Sequence, residues 1–177
     1  MMKKTHHLAD KILPNSIVRG FVGGAIIVLL SLIIGSRDYN GAGMNVIEEA
    51  LGGTARPEAF LLKILFTAIT IAAGFKGGEI VPAFFIGSTF GCIAAPLVGI
   101  NPAFGAAVGF VALFCGAVNC PLASTMLALE VFGAEGIYLF AAASFVSYMM
   151  SGCFGLYAKQ KIVYGKTEAK YMDVFTK

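Results

Sequence analysis

The feature that most constrains this chain is a run of fifty consecutive residues, 80–129, that contains no charged side chain. A second uncharged run covers residues 136–158, so that only Glu130 and Glu135 carry charge between positions 80 and 158. A helix crosses the hydrocarbon core of a bilayer with about 20 residues. The longer run exceeds one crossing, and we therefore expect it to fold back within the membrane.

Composition supports the same class of protein. Of the 177 residues, 58% are hydrophobic and only 13% are charged, whereas a soluble domain has about 25% charged residues. These values exclude a disordered chain, a nucleic-acid binder and an ordinary soluble enzyme. The basic residues near the two ends are Lys3, Lys4, Lys11, Arg19, Lys159, Lys161, Lys166, Lys170 and Lys177. Cations that flank an apolar body are typical of anchors at the lipid surface, and we expect a multi-pass protein of the cell membrane with a cytoplasmic C-terminus.

Punctuation by glycine and proline predicts how the apolar region is divided. We expect a polar segment over residues 1–16, a transmembrane region over 17–155 with helices broken at 74–82, 101–102 and 119–121, and a C-terminal amphipathic helix and tail over 156–177. The predicted fold is an all-α integral membrane bundle of short, tilted and broken helices. Backbone that is broken at membrane depth must be surrounded by protein or line a cavity, and such segments are typical of secondary transporters.

Small residues indicate how these helices pack. Gly105 and Gly109 form a GxxxG pair, and Gly20, Gly23 and Gly24 form a second small-residue face. In apolar helices this spacing favours close helix–helix contact and carries no information about a ligand.

The segment 74–82, with its adjacent glycines Gly77 and Gly78, is the first place where chemistry is expected. Glycines before a helix leave backbone N–H groups unobstructed, and the helix dipole adds about half a positive charge at the same point. Together these features predict an anion site made of backbone alone. A helix break that serves only packing explains the same residues, and both interpretations stay open at this point.

Three further side chains have two interpretations each. Glu79 opens the nearly charge-free region, so its carboxyl group either caps the following helix or exchanges a proton beside a bound anion. Tyr157 either projects its phenol into a cavity or belongs to an interfacial aromatic belt. Asn119 is expected to cap the helix that begins at Pro121.

No metal or cofactor site is predicted. The only histidines are His6 and His7, in the polar N-terminal segment, and no CxxC pair or acidic cluster occurs. An intramembrane enzyme is disfavoured because the apolar region lacks the histidine, paired aspartates or zinc ligands that would activate water.

Several motifs taken together resemble the CLC family of chloride channels and anion/proton antiporters. They are Gly77-Gly78-Glu79-Ile80-Val81-Pro82, then Phe84-Phe85-Ile86-Gly87-Ser88-Thr89-Phe90-Gly91, then Pro121-Leu122-Ala123 with Leu129-Glu130-Val131, and finally Gly155-Leu156-Tyr157 at the expected start of the last helix. The resemblance extends from about residue 17 to residue 170.

The resemblance implies a homodimer in a lipid bilayer, with one anion pathway in each subunit and two inverted repeats per subunit. It implies that Gly78, Glu79, Ile80 and Tyr157 surround the central anion, the first three through backbone and Tyr157 through its hydroxyl. A glutamate at position 79 is similar to the fluoride/proton antiporter branch and makes Glu79 the proton-coupling candidate. Val81 departs from that branch, which often carries threonine there.

The chain is less than half as long as a subunit of that family. It resembles the second repeat and the last helix, and we expect a C-terminal half that transports fluoride or chloride against protons with a complementary N-terminal half. The alternative is a non-transporting fragment or assembly subunit. No nucleic-acid partner is expected.

Overall fold

The fold was obtained as a computed structural model, which describes residues 15–75, 77–157, 159–168 and 171–176. Within these ranges it consists of apolar helices followed by a small antiparallel hairpin. The helices are α1 (Ser16–Ile34), α2 (Met44–Leu51), α3 (Ala59–Ala72), α4 (Ile80–Ala94), a 3₁₀ turn (Ala95–Val98), α5 (Pro102–Val118), α6 (Pro121–Phe132) and α7 (Ile137–Met150). The strands are β1 (Lys161–Tyr164) and β2 (Tyr171–Phe175).

Among the residues that the structure describes, two apolar segments are long enough to cross a bilayer unaided. They are α1 and the 19-residue stretch Ile80–Val98, which joins α4 to its 3₁₀ turn. The helices α3, α5, α6 and α7 are also apolar but shorter, with 12 to 17 residues each. This mixture agrees with the predicted bundle of short and broken helices, because only the long segments match the full thickness of the hydrocarbon core.

The closest helix contact joins α4 to α5 through glycines on both sides. A Cβ atom added to Gly87 would collide with the carbonyl oxygen of Gly109, and one added to Gly91 would collide with that of Gly105. From Gly87 to Gly91 the residue number on α4 rises by four, while its partner on α5 falls by four, from Gly109 to Gly105. The two helices therefore run antiparallel. The predicted role of the GxxxG pair in close packing is confirmed.

Aromatic rings fill the space beside this contact. Phe84 on α4 stacks on Phe110 of α5, with ring centroids 4.0 Å apart and planes 2° apart. Phe110 meets Phe132 on α6 edge-on, and Phe132 stacks on Phe140 of α7. These pairs connect four helices through one apolar core, in which burial and ring geometry both contribute to stability.

The prediction of an amphipathic helix in the C-terminal region 156–177 is wrong. Strands β1 and β2 lie in this region instead, and they pair with Ile162 opposite Val174 and Tyr164 opposite Tyr171. An ion pair of 2.7 Å joins Lys161 to Asp173 across the strands. The β-branched and aromatic side chains of both segments favour extended backbone, and this preference outweighs the helical spacing of the charges.

Candidate functional site

The N-terminus of α4 follows an open, glycine-rich turn. Gly74 ends the preceding helical region with a left-handed φ of +87°, which glycine adopts without steric cost. Gly77 and Gly78 are exposed, and nothing lies within 4 Å of the positions where their Cβ atoms would be. The backbone leading into α4 is therefore accessible to a small ligand from this side.

The first turn of α4 presents amides that the helix itself cannot satisfy. The first helical bond across this turn runs from the Ala83 N–H to the Glu79 carbonyl, at 3.2 Å. Pro82 has no N–H, so Glu79, Ile80 and Val81 supply the N–H groups that precede the regular hydrogen-bond pattern. Their N–H groups and the positive end of the helix dipole favour an anion.

Glu79 occupies the N-cap position but does not act as a cap. Its side chain is half-buried and makes no capping hydrogen bond to the α4 backbone. The interpretation of Glu79 as a simple helix cap therefore receives no support from the geometry. Lys76, a possible neutralising partner, lies outside the described residues.

Tyr157 differs from its expected position at the start of a helix. It lies in the connection between α7 and β1 and has 49% of its surface exposed. Its carbonyl accepts hydrogen bonds from the Gln160 N–H, at 3.0 Å, and from the Thr176 hydroxyl. No hydrogen bond in the described part of the chain joins Tyr157 to residues 78–80.

The antiparallel register nevertheless brings both parts of the predicted site to one end of the bundle. Extending the register from Gly87 back to Ile80 reaches Gly116, near the end of α5. The N–H of Leu156 donates to the carbonyl of Ala117, next along α5, at 2.9 Å. The connection that carries Tyr157 is thus attached to the same end of the bundle at which α4 begins.

Asn119 has a different role from the predicted one. It is the C-cap of α5, in the left-handed conformation with φ of 61°, and Cys120 takes the N-cap position of α6. The Asn119 amide donates to the Phe154 carbonyl at 2.9 Å, and its oxygen accepts from Ser151 at 2.9 Å. Asparagine suits this position because it tolerates left-handed backbone while bonding to neighbouring groups.

Lys166 completes a polar cluster with Asn119 and Ser151 that sequence analysis missed. Its ammonium group donates to the Asn119 side-chain oxygen and to the Ser151 hydroxyl, the latter at 2.6 Å. The same group lies 4.2 Å from the centre of the Tyr148 ring. Burial lowers the pKa of Lys166, although the nearby Cys153 and Cys115 act in the opposite direction. Nothing in sequence spacing links these residues, because the contact bridges the hairpin and two helix ends.

Lys63 is a second buried cation, to which sequence analysis assigned no role. It lies in α3 with only 1% of its surface exposed. The available signal was a lone charge inside an apolar helix, which is rare unless the side chain faces protein or a cavity.

No group of three His, Cys, Asp or Glu side chains able to hold a metal ion occurs in the described ranges.

Comparison with known proteins decides the family. The model of the voltage-gated chloride channel family matches residues 1–152. This chain belongs to the voltage-gated chloride channel (CLC) family. Members of this family are membrane transporters of ions rather than enzymes, and the mostly helical fold described above is of the CLC type.

Proteins of two other organisms are similar to most of this chain. The chain is 37% identical over 171 residues to a chloride/fluoride channel protein of Pseudomonas syringae pv. tomato, covering 92% of this chain and 38% of that protein. It is 25% identical over 138 residues to an uncharacterised protein of Methanocaldococcus jannaschii, covering 76% of this chain and 34% of that protein.

A solved structure of the CLC family has the same architecture. The crystal structure of a CLC-type fluoride/proton antiporter superposes with a TM-score of 0.84 and 30% sequence identity, over 88% of this chain and 40% of that one. The chain therefore spans about two fifths of the length of the relatives that it matches.

Proposed function

We propose that this chain forms part of a transmembrane anion pathway in which the N-terminus of α4 binds the central anion. The observation that carries the proposal is the geometry of this turn. The backbone N–H groups of Gly78, Glu79 and Ile80 lie within or directly after the exposed pair Gly77–Gly78, and the helix dipole points its positive end toward them. Membership of the CLC family supports the same assignment.

The transported anion is proposed to be fluoride or chloride. The proteins that this chain resembles include a chloride/fluoride channel protein and a fluoride/proton antiporter, and Glu79 resembles the fluoride/proton branch. Fluoride is strongly hydrated, so its site must supply good hydrogen-bond donors in place of water. Val81 offers no hydroxyl where that branch often has threonine. We expect Val81→Thr to raise fluoride affinity relative to chloride, which halide titrations of both proteins would measure.

Glu79 is proposed to couple the anion to protons. An ionised carboxylate competes with the anion for the first-turn amides, whereas the protonated form offers the anion a donor. Occupancy by the anion and protonation of Glu79 therefore favour each other. This coupling requires that the Glu79 carboxyl group is not already hydrogen-bonded to the backbone as a helix cap. The absence of a Glu79 capping hydrogen bond supports the proposed coupling.

Assembly is part of the proposal, because the chain spans 38% of its Pseudomonas relative. We propose that a complementary N-terminal half supplies the remaining side of the anion site and that the complete unit forms a homodimer with its C-terminus in the cytoplasm. The α1 helix, in which only Gly23 is buried, offers an apolar surface for lipid or for such a partner.

Liposome efflux tests this function. The 177-residue chain is reconstituted in two forms: alone, and together with the part of the Pseudomonas relative that it does not match (the combined protein). Release of fluoride, chloride and protons is recorded for both. We expect saturable halide release linked to proton movement only from the combined protein. Selective release by the chain alone would contradict the requirement for a complementary half. Two parts that co-purify without halide flux would favour a non-transporting assembly subunit.

Glu79→Gln in the combined protein tests the coupling. Glutamine retains the size and hydrogen bonding of glutamate but cannot exchange a proton, so we expect proton-linked transport to be lost while assembly persists. Glu135→Gln, at an exposed position, is the matched control. An unchanged number of protons moved per anion in Glu79→Gln would remove Glu79 from the coupling.

A further inference from the structure

Lys63 is held inside the protein by backbone carbonyls. Its ammonium group donates to the carbonyls of Gly41 at 2.7 Å, Tyr39 at 3.3 Å and Ala42 at 3.4 Å. It also lies 4.7 Å from the centre of the Phe85 ring. Lysine has three N–H donors, so the carbonyl groups can satisfy all of them while the ring quadrupole adds further attraction.

In the part of the chain that the structure describes, the charge of Lys63 is balanced by backbone dipoles instead of a carboxylate. In residues 15–75, 77–157, 159–168 and 171–176, no carboxylate forms an ion pair with Lys63. Burying a charge is costly unless it is paired or strongly hydrogen-bonded, and here dipoles replace the counter-ion. The carbonyls offset the desolvation of the ammonium group but leave its net positive charge in the interior.

The charge is directed toward the helix that begins at the proposed anion site. Phe85 is fully buried on α4, five residues after Ile80, which at about 1.5 Å per residue is about 7.5 Å along the helix axis. The Lys63 ammonium group is therefore on the order of 10 Å from the first-turn amides of α4. Lys63 and the Phe85 ring that it contacts are both buried, so the charge itself lies in a region that excludes bulk water.

We propose that Lys63 is a fixed buried positive charge that strengthens anion binding at the N-terminus of α4 through space, without contacting the anion. This inference rests on the proposed anion site and adds to it a residue that sets the potential there. Backbone amides carry only partial charges, whereas Lys63 adds a full positive charge whose field is weakly screened in a low-dielectric interior. The residue is a positioning and electrostatic element, not a ligand of the ion.

The size of the effect follows from Coulomb's law. At a separation on the order of 10 Å and an effective dielectric constant of about 20, removal of the charge should weaken anion binding about tenfold. The loss should be similar for fluoride and chloride, because a charge at this distance interacts with the unit charge of the ion and not with its size. A distorted contact site would instead change the two affinities by different factors.

The experiment measures halide affinity in the combined protein by calorimetric titration with sodium fluoride and with sodium chloride. Lys63→Met removes the charge and keeps the length of the side chain, while Lys63→Arg keeps the charge. Lys159→Met, at an exposed position, is the matched control. We expect about tenfold weaker binding of both halides in Lys63→Met, near-normal binding in Lys63→Arg and no change in the control.

Lys63→Gln serves as a second neutral variant in case Lys63→Met does not fold. The glutamine amide can still donate to the carbonyls of residues 39–42. Unchanged affinity in a folded neutral variant would overturn the inference while leaving the anion site intact. Unequal losses of affinity for the two halides would indicate a distorted contact site and would overturn the inference. The inference would also be overturned if both neutral variants fail to fold while Lys63→Arg folds and binds normally, because Lys63 would then be a structural anchor. A wild-type protein that binds neither halide would overturn the proposed function itself.

Discussion

Gly87 and Gly109 face each other across the α4–α5 contact, and each leaves room for the other's carbonyl oxygen. A Cβ atom on either residue would overlap the carbonyl oxygen of its partner. This contact fixes the antiparallel register that places the start of α4 beside the end of α5. The location of the candidate anion site therefore depends on residues a helical turn or more away from it.

Gly109→Ala should destabilise the protein by about 2 kcal/mol or more, because the added methyl group overpacks a backbone contact that cannot give way locally. Thermal unfolding in detergent, followed by circular dichroism, measures the change. Gly20→Ala makes the same substitution in α1, where nothing lies within 4 Å, and should be neutral or slightly stabilising. Equal melting temperatures for Gly109→Ala and the wild-type protein would contradict the register described here.

Tyr157→Phe should weaken halide binding in the combined protein while changing stability little. A hydrogen bond to a charged group contributes about 1.5–3 kcal/mol, so loss of the phenol donor should cost about tenfold in affinity. Calorimetric titration compares the variant with Tyr138→Phe, which removes a phenol from another exposed tyrosine. Equal affinities in all three proteins would assign Tyr157 to the interfacial belt instead of the anion site.

Asn119 should tolerate glycine better than alanine. Both substitutions remove the bonds to Phe154 and Ser151, worth about 1 kcal/mol each. Alanine additionally strains the left-handed backbone, by about 1 kcal/mol relative to glycine. We expect melting temperatures in the order wild type, Asn119→Gly, Asn119→Ala, with exposed Asn45→Ala unchanged. A reversed order of the two Asn119 variants would contradict the C-cap assignment.

Lys166 should make stability rise with pH in an alkaline window. Burial lowers its pKa in the folded protein below the ordinary value of 10.5, so the unfolded chain binds more protons between those two values. The free energy of unfolding therefore increases as pH rises toward 10.5, and below the lowered pKa the full penalty of a buried charge persists. Circular dichroism melts at stepped pH should show this rise in the wild type and a smaller one in Lys166→Met. Parallel curves for the two proteins would show that Lys166 is not the titrating group; Lys159→Met controls for loss of an exposed lysine.

Local chemistry explains where sequence reasoning succeeded and where it failed. The start of α4 was predictable because adjacent glycines, a proline and a sudden loss of charge all act within a few residues. Asn119 was assigned to the wrong helix because asparagine suits both an N-cap and a left-handed C-cap, and the choice depends on Phe154 and Ser151, which are distant in sequence. The C-terminal hairpin differs from the predicted helix because the spacing of its lysines fits a helix face, whereas Ile162 and its β-branched and aromatic neighbours favour strands.

The sequence by itself determined a membrane-embedded helical protein, its helix breaks and the glycine-rich turn before Ile80. These features depend on hydropathy, backbone freedom and missing N–H groups, which are properties of adjacent residues. Only the tertiary structure decided that Lys63 reaches the carbonyls of residues 39–42, that Lys166 reaches Asn119 and that the Tyr157 connection lies at the end of the bundle where α4 begins. Such contacts depend on helix register, which is set by the fit between the glycines of α4 and those of α5. This fit is a property of the two packed helices and cannot be read from either segment alone.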